Sequence, residues 1–291
     1  MQTQKSFEVS ETGMLYLIPT PIGNLEDMTF RAVRLLKEAD LIAAEDTRNT
    51  QKILNHFEIE TSQISFHEHN SKERTKQLVE RMLAGETVAQ VSDAGMPSIS
   101  DPGVDLVKAA VDAGIAVVPL PGANAALTAL IASGLAPQPF YFYGFLSRKK
   151  KTQQSELDLL KNRQETMIFY ESPHRLKEML EQMETVFGSE RKIVLARELT
   201  KRYEEFIRGS IYDVSKWAQN EQIRGEFCVI VEGNQNPELN EQEAEWMKWT
   251  LKEHVEKVLN MQGGTSKQAI KEVAQLRNIQ KREVYSAYHE L

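Results

Sequence analysis

Charged side chains cluster directly after several short apolar runs of the sequence. Ala44-Glu45-Asp46-Thr47-Arg48 follows one run, and Ser92-Asp93-Ala94-Gly95-Met96-Pro97 follows another. Carboxylates in such places can take up a proton or favour a bound cation, and an arginine can hold a phosphate. Capping of the helix that follows explains Asp46 equally well. Catalysis and capping therefore both stay open for this carboxylate.

Other clusters have the same composition. The loop at 92–103 holds two Asp, two Gly, two Pro and three Ser in twelve positions. We expect Asp101 to cap the next helix, which leaves Asp93 without a structural role. Glu171, His174 and Arg175 lie close together in a further cluster, where His174 could act as a base, although a lone histidine beside a proline is more often a loop residue. The remaining clusters are Pro19-Thr20-Pro21-Ile22-Gly23-Asn24-Leu25, which a rigid turn would also explain, Leu120-Pro121-Gly122-Ala123-Asn124-Ala125-Ala126, Arg197-Glu198-Leu199-Thr200-Lys201-Arg202 and Arg224-Gly225-Glu226-Phe227.

A parallel sheet would bring these clusters together. The apolar runs at 14–18, 41–44, 64–66, 87–91 and 115–120 predict strands, and apolar residues at three- and four-residue spacing predict helices at 29–38, 72–84 and 104–113. This alternation predicts a largely parallel sheet, whose strands end at one edge.

The pattern restarts after Gly122. Strands are predicted at 140–145, 166–170, 192–196 and 227–232, with helices at 124–133, 153–163 and 175–186. The last part shows only helical periodicity, at 241–260, 266–276 and 281–291. The predicted organisation is a tail at 1–13, α/β domains at 14–121 and 122–235, and a helical domain at 236–291.

Composition excludes several classes of protein. The 291 residues are 41% hydrophobic with one cysteine, which excludes a disordered chain and an internal disulfide. No P-loop, dinucleotide fingerprint, hydrolase elbow or metal-binding motif is present. The apolar runs are too short to cross a membrane, and the first residues lack the apolar core of a signal peptide. We therefore expect a cytoplasmic protein with no metal and no membrane partner.

The net charge of −7 is unevenly distributed. Residues 1–139 contain 11 basic and 18 acidic residues, whereas residues 140–235 contain 16 and 15. The second part also carries a basic tract, Arg148, Lys149, Lys150 and Lys151, which follows an aromatic run. Binding of nucleic-acid phosphates and a solvated loop explain the basic tract about equally well.

The clusters together resemble the tetrapyrrole (corrin/porphyrin) methylase superfamily. The resemblance covers about residues 14–235 and implies two αβα domains with S-adenosylmethionine in the cleft between them, in a homodimer. Ser92-Asp93-Ala94 stands where most members have Gly-Asp-Pro, and Asn124 replaces a Ser. These departures, with Phe169-Tyr170-Glu171-Ser172-Pro173-His174-Arg175, are similar to the branch that methylates ribosomal RNA. The cofactor-binding residues that the resemblance implies are Pro19, Pro21, Asn24, Asp93, Met96, Asn124, Ala125, Ala126 and Tyr170.

For that branch, the resemblance implies 2′-O-methylation of a cytidine in the decoding centre of 16S rRNA, within the small ribosomal subunit. A ribose hydroxyl is a weak nucleophile, so a base and a cation near its oxygen should help. Glu45, Asp46 or Glu171 could take the proton, and Lys201 or Arg48 could stabilise oxygen or hold phosphate. The predicted RNA-binding residues are the basic tract, Arg175 and Arg202. A small-molecule tetrapyrrole-type methyltransferase and a non-catalytic RNA-binding assembly factor are the alternatives.

Overall fold

The structure, a computed structural model, describes residues 3–6, 11–236, 248–262, 265–277 and 279–289. Its residues group into two units, 1–235 and 236–291. Parts of the predicted tail at 1–13 and of the predicted helix at 241–260 lie outside the described residues. The predicted boundary at 121/122 lies within the first unit, between the strands of its two sheets, and stays a prediction.

The first sheet is entirely parallel, as the sequence predicts. Its strands are β1 (Met14–Leu17), β2 (Leu41–Ala44), β3 (Gln63–Ser65), β4 (Val88–Val91) and β5 (Ala116–Pro119). Their spatial order is β3-β2-β4-β1-β5, and each neighbouring pair is parallel. Every residue of β2 and β4 is buried, which explains why β2 is apolar throughout and β4 is apolar except for Gln90.

Helices cover both faces of this sheet. The helices are α1 (Phe30–Glu38), α2 (Thr47–His56), α3 (Ser71–Leu83) and α4 (Val104–Asp112). Leu36 of α1 packs in one core cluster and Leu78 of α3 packs in another. The two clusters take alternate residues of the strands, so they lie on opposite faces of the sheet. Right-handed crossovers explain why α1 and α2 lie on one face and α3 and α4 on the other. The chain moves in one direction across the sheet after β1 and β2, and in the opposite direction after β3 and β4. The loops after β1 and β4 therefore diverge and open a crevice at this edge.

The start of α4 differs from the prediction. Its N-cap is Gly103, with a φ of 148°, so the prediction that Asp101 caps this helix is wrong. A Cβ at Gly103 would collide with the side chains of Gln90 and Ser98. The buried Gln90 amide donates to the Pro102 carbonyl over 2.9 Å and so holds the end of the loop against the sheet.

The second sheet is mixed. Its strands are β6 (Phe140–Phe145), β7 (Thr166–Glu171), β8 (Lys192–Arg197), β9 (Glu205–Ser210) and β10 (Phe227–Val231), in the order β6-β7-β10-β8-β9. β6 and β7 are parallel, whereas β10 runs antiparallel to β7 and β8. Phe227, at the start of β10, consequently lies beside the ends of both neighbours. The helices are α5 (Ala125–Ser133), α6 (Lys150–Leu160), α7 (Leu176–Phe187) and α8 (Ile211–Asn220). Neither α8 nor β9 is among the elements predicted from the sequence.

The unit at 236–291 is helical where it is described. It contains α9 (Leu251–Gln262), α10 (Ser266–Leu276) and α11 (Lys281–His289), packed around Val255, Val273 and Val284. Arg277 donates to the Trp249 carbonyl over 2.7 Å and to the His254 ring over 3.1 Å. Within the described parts of the chain, no helix has the length and apolar character needed to cross a membrane.

Truncation of the second sheet's core should destabilise the fold. Leu195 on β8 is fully buried, so we expect Leu195→Ala to lower the free energy of unfolding by about 2–5 kcal/mol. Leu159 on α6 is 85% exposed, and Leu159→Ala should change it by less than about 0.5 kcal/mol. Urea denaturation followed by circular dichroism compares the two, and equal losses would contradict the described packing.

Candidate functional site

A cavity of about 440 Å³ lies where the strand ends of the two sheets meet, a size suited to a small-molecule ligand. The first sheet and its loops contribute Ile22, Glu45, Asp93, Ala94, Gly95, Met96, Ile99, Ser100 and Asp101. The rest of the wall is Asn124, Ala125, Phe145, Tyr170, Glu171, Ser172, Ala196, Glu198, Leu199, Lys201, Glu226, Phe227 and Cys228.

Asp93 joins the loops that follow β2 and β4. Its carboxylate accepts hydrogen bonds from the Asp46 N–H and the Asn49 amide, both over 3.1 Å. Its own N–H donates to the Glu45 carboxylate over 3.2 Å. Asp93 and Glu45 are thereby fixed at the cavity wall.

The loop after β1 is joined to the same place. Thr20 and Gly95 exchange two backbone hydrogen bonds of 3.0 Å, and the buried Thr20 hydroxyl donates to the Ser92 carbonyl over 3.1 Å. Three loops from three strands thus form one wall. Pro19 and Pro21 are buried beside this junction, and Asn24 caps a short 3-10 helix (Leu25–Asp27).

The start of α5 forms the adjoining wall. Asn124 caps the helix by accepting from the Leu127 N–H over 2.9 Å, and its amide lies 3.7 Å from the Met96 sulfur. The Ala126 N–H donates to the Tyr170 hydroxyl over 3.2 Å. Burial raises the pKa of Tyr170 to about 12, so this hydroxyl is neutral at physiological pH.

Glu171 ends β7 with a side chain that is 1% exposed. One carboxylate oxygen accepts from the Ser172 N–H over 2.7 Å, and the other lies 3.2 Å from the Arg175 guanidinium without hydrogen-bond geometry. The same guanidinium donates to the carbonyls of Leu146 and Ser147 over 3.0 and 3.1 Å. Burial outweighs these contacts and raises the pKa of Glu171 above its ordinary value.

Lys201 is held between two carboxylates. Its ammonium lies 3.0 Å from Glu198 and 3.3 Å from Glu226, and Glu198 also accepts from the Glu226 N–H. Burial alone would raise the pKa of Glu198, but the hydrogen bonds from the Glu226 N–H and Lys201 outweigh burial and lower it. A Cβ at Gly23 would collide with the Lys201 side chain, so glycine gives this lysine room.

The cavity has a strong excess of acidic groups. Its described wall contains six carboxyl groups, from Glu45, Asp93, Asp101, Glu171, Glu198 and Glu226, and one ammonium group, from Lys201. Burial raises the pKa values of Glu45 and Asp101, and nearby carboxylates raise them further. A cationic ligand would relieve this repulsion.

The cavity brings together eight of the predicted catalytic and cofactor-binding residues: Glu45, Asp93, Met96, Asn124, Ala125, Tyr170, Glu171 and Lys201. Asp46 and Arg48 do not line it and instead pair with each other over 2.6 Å. Asp46 caps α2, which confirms the capping alternative, and the hydrogen bonds from Arg48 lower the pKa of Asp46 to about 2. Pro19, Pro21, Asn24 and Ala126 also lie outside the lining.

The predicted RNA-binding residues do not line the cavity. All four residues of the basic tract are exposed, and Lys150 and Lys151 begin α6. Arg202 is exposed, with its guanidinium 5.7 Å from the ring centre of Tyr203, whereas Arg175 is largely buried and engaged with Glu171. Their contact with RNA stays a prediction.

Four further residues line the cavity although their sequence positions predict no site role for them: Asp101, Phe145, Glu198 and Glu226. The position of Asp101 before a predicted helix favoured a capping role, which hid its place at the cavity. Glu198 and Glu226 belong to clusters noted in the sequence, so their signal was present. Within the described residues, no group of three His, Cys, Asp or Glu side chains could hold a metal ion.

Known proteins are similar to this chain in sequence or in fold. A Bacillus subtilis (strain 168) protein named ribosomal RNA small subunit methyltransferase I is 58% identical over 290 residues, 99% of each chain. A Halalkalibacterium halodurans protein of the same name is 52% identical over 291 residues, 100% of each chain. The crystal structure of uroporphyrin-III C-methyl transferase from Thermus thermophilus, complexed with S-adenyl homocysteine, has a TM-score of 0.55 at 17% identity and covers 76% of this chain and 97% of that one.

The family follows from the extent of these matches. The sequence profile of the tetrapyrrole (corrin/porphyrin) methylases matches residues 14–215, which include both sheets up to β9. The chain therefore belongs to the tetrapyrrole (corrin/porphyrin) methylase family.

Proposed function

We propose that this chain uses S-adenosylmethionine to methylate ribosomal RNA of the small subunit. The observation that carries the proposal is the 58% identity, over 99% of both chains, with the Bacillus subtilis protein of that name. The finer proposal is that the acceptor is the 2′-oxygen of a cytidine in the decoding centre of 16S rRNA, as the sequence motifs imply. We further propose that the chain acts in the cytoplasm and as a homodimer.

The cavity fits the proposed cofactor. S-adenosylmethionine supplies a methyl group on a cationic sulfonium, and six carboxyl groups surround the space available to it. Gly95 lines this space with a φ of 78°, a backbone conformation that favours glycine. Asp93, Met96, Asn124, Ala125 and Tyr170 are the predicted cofactor-binding residues that line this space.

The geometry narrows the choice of proton acceptor. A base must lie at the cavity, and a raised pKa makes a carboxylate a better proton acceptor; Glu45 and Glu171 line the cavity, and burial raises the pKa of each above its ordinary value. Asp46 meets neither, since it caps α2 and its pKa is about 2. Lys201 carries the one ammonium group among the described residues of the cavity wall, and it could stabilise negative charge on the acceptor oxygen. Arg48, which is 87% exposed, is better placed to hold phosphate.

The basic tract is suited to RNA phosphates. Cations at a helix N-terminus are unfavourable, because the helix dipole places partial positive charge there. Lys149, Lys150 and Lys151 nevertheless occupy the N-cap and first two positions of α6. Their positive charge and that of the helix end add together, which favours an anion at this place.

Transfer of label tests the proposed function directly. We expect the protein, given S-adenosylmethionine labelled in the methyl group and small ribosomal subunits, to label the RNA at 2′-O-methylcytidine after nucleoside digestion. A porphyrinogen offered in parallel should stay unlabelled. Label in the porphyrinogen alone would favour a tetrapyrrole-type substrate, and cofactor-independent RNA binding with no label would favour an assembly factor.

Removal of the base should slow turnover without loss of cofactor. We expect Glu45→Gln or Glu171→Gln to lower kcat about 10²–10⁴-fold, because proton removal in the transition state is lost. Calorimetric titration should show S-adenosylmethionine still bound. The matched control is Glu190→Gln at an exposed site away from the cavity. If both variants kept the wild-type kcat, neither carboxyl would be the proton acceptor.

The pH dependence should identify the same group. A carboxyl accepts a proton only when ionised, so the wild-type rate should rise with pH through the pKa of the base. Burial raises that pKa, which places the midpoint above 4.5, the ordinary value for glutamate. Rates measured from pH 4 to 8 test this, and the rise should be absent from the variant that lacks the base.

Neutralising the basic tract should weaken RNA binding and its salt dependence. We expect Lys149→Ala combined with Lys151→Ala to raise the KM for small subunits and to reduce the slope of log affinity against log salt by about one to two, because two phosphate contacts are lost. The control is Lys72→Ala with Lys76→Ala on α3, which removes the same charge from another exposed surface. Identical slopes in both variants would refute this placement of the RNA.

A further inference from the structure

An aromatic side chain is exposed at the cavity wall where β6 ends. Phe145 lines the cavity, yet it is 56% exposed. Its ring meets Tyr170 edge-on, with 5.6 Å between ring centres and 64° between planes, and Phe142 supports Tyr170 from 5.2 Å. The Phe145 ring is therefore held in place by its neighbours while much of its surface stays accessible.

A bulge in β6 gives Phe145 this direction. Phe142 pairs with Ile168 but Gly144 pairs with the next residue, Phe169, so one residue of β6 is extra. Gly144 has a φ of 82°, the left-handed conformation typical of such bulges. Side chains alternate between sheet faces, so the extra residue moves Phe145 from the face of Tyr143 to the face of Phe142. Regular pairing would turn it away from the cavity.

The basic tract begins three residues after Phe145. The intervening segment is braced, since Arg175 donates to the Leu146 and Ser147 carbonyls and the Ser147 N–H donates to Glu156 over 2.8 Å. An accessible aromatic ring and four exposed cations are thus attached to one short, fixed piece of chain. This combination is typical of surfaces that bind single-stranded nucleic acid.

The strand order separates this end of the cavity from its acidic end. β7, which carries Glu171, lies next to β6 at a spacing of about 5 Å, whereas β8, which leads to Glu198, is three strands away from β6, about 14 Å. Glu198 and Glu226, which flank Lys201, therefore lie at the end of the cavity away from Phe145. Phe145 lies beside Glu171, one of the two candidate bases.

We propose that Phe145 is the platform on which a nucleobase of the RNA substrate stacks, while the basic tract binds the flanking phosphates. The proposal rests on the proposed function and deepens it. A base inside a duplex already has both faces covered, so the target nucleotide must be single-stranded or turned out of its helix. Its ribose then lies towards Glu171, the carboxyl nearest to Phe145 in strand order.

The test compares two phenylalanines of the same strand. Phe145→Leu removes the aromatic face, whereas Phe140→Leu makes the same change at the opposite end of β6, where the side chain is 42% exposed and does not line the cavity. The affinity for small ribosomal subunits is measured by filter binding, which needs no turnover. S-adenosylmethionine affinity by calorimetry, thermal unfolding and methyl transfer are measured on the same variants.

We expect Phe145→Leu to weaken subunit binding about tenfold or more, at unchanged cofactor affinity and melting temperature. Phe145→Trp should retain wild-type binding, because it keeps an aromatic face, and Phe140→Leu should match the wild type. Unchanged subunit binding in Phe145→Leu, or an equal loss in Phe140→Leu, overturns the proposal. A loss confined to cofactor affinity also overturns it, because the ring would then serve the cofactor.

The same measurements distinguish a failure of the proposed methylation from a failure of the proposed stacking on Phe145. If the wild-type protein labels no ribosomal RNA while Phe145→Leu still weakens subunit binding, methylation is excluded and stacking stands. If the wild type labels RNA and Phe145→Leu binds as tightly, methylation stands and stacking is excluded.

Discussion

The hydrogen bonds of Asp93 hold together a site whose loops would otherwise separate. The chain leaves β1 and β2 towards one face of the first sheet and β4 towards the other. Asp93 spans this divergence because its carboxylate accepts from the Asp46 backbone N–H and the Asn49 side-chain amide, and its own N–H donates to Glu45. The arrangement places carboxylates beside one another, and their repulsion adds to the effect of burial in raising the pKa of Glu45. A bound cation would reduce the repulsion between these carboxylates.

The second sheet gives the cavity its two ends. Because β10 runs antiparallel, its first residues join the last residues of β7 and β8, and Glu226 and Glu198 meet around Lys201. The edge strand β6 presents Phe145 and then the basic tract. The net charge of −7, which by itself disfavours a nucleic-acid partner, belongs to residues 1–139, and the basic tract lies outside that part. The distribution of charge matters more for ligand choice than its sum.

Local patterns predicted the first sheet well. The run at 41–44 is apolar throughout and the run at 87–91 is mostly apolar because both faces of these strands are buried, so their burial is visible in the sequence. The edge strand β9 was missed, since its half-exposed residues include Arg208 and Gly209 and give no clear period. The antiparallel course of β10 was also hidden, because a fully buried strand has the same apolar composition in either direction.

The sequence by itself determined the α/β class, the family resemblance and most of the polar clusters at strand ends, because these depend on residue type and short spacing. Only the tertiary structure decided which members of each cluster reach the cavity. Glu45 and Asp46 are adjacent, yet one lines the cavity and the other caps a helix, since neighbouring side chains at a strand end point in different directions. The direction of the Phe145 side chain depends on a single extra residue in β6. This register shift arises from the pairing of β6 with β7, and a local sequence pattern contains no information about that pairing.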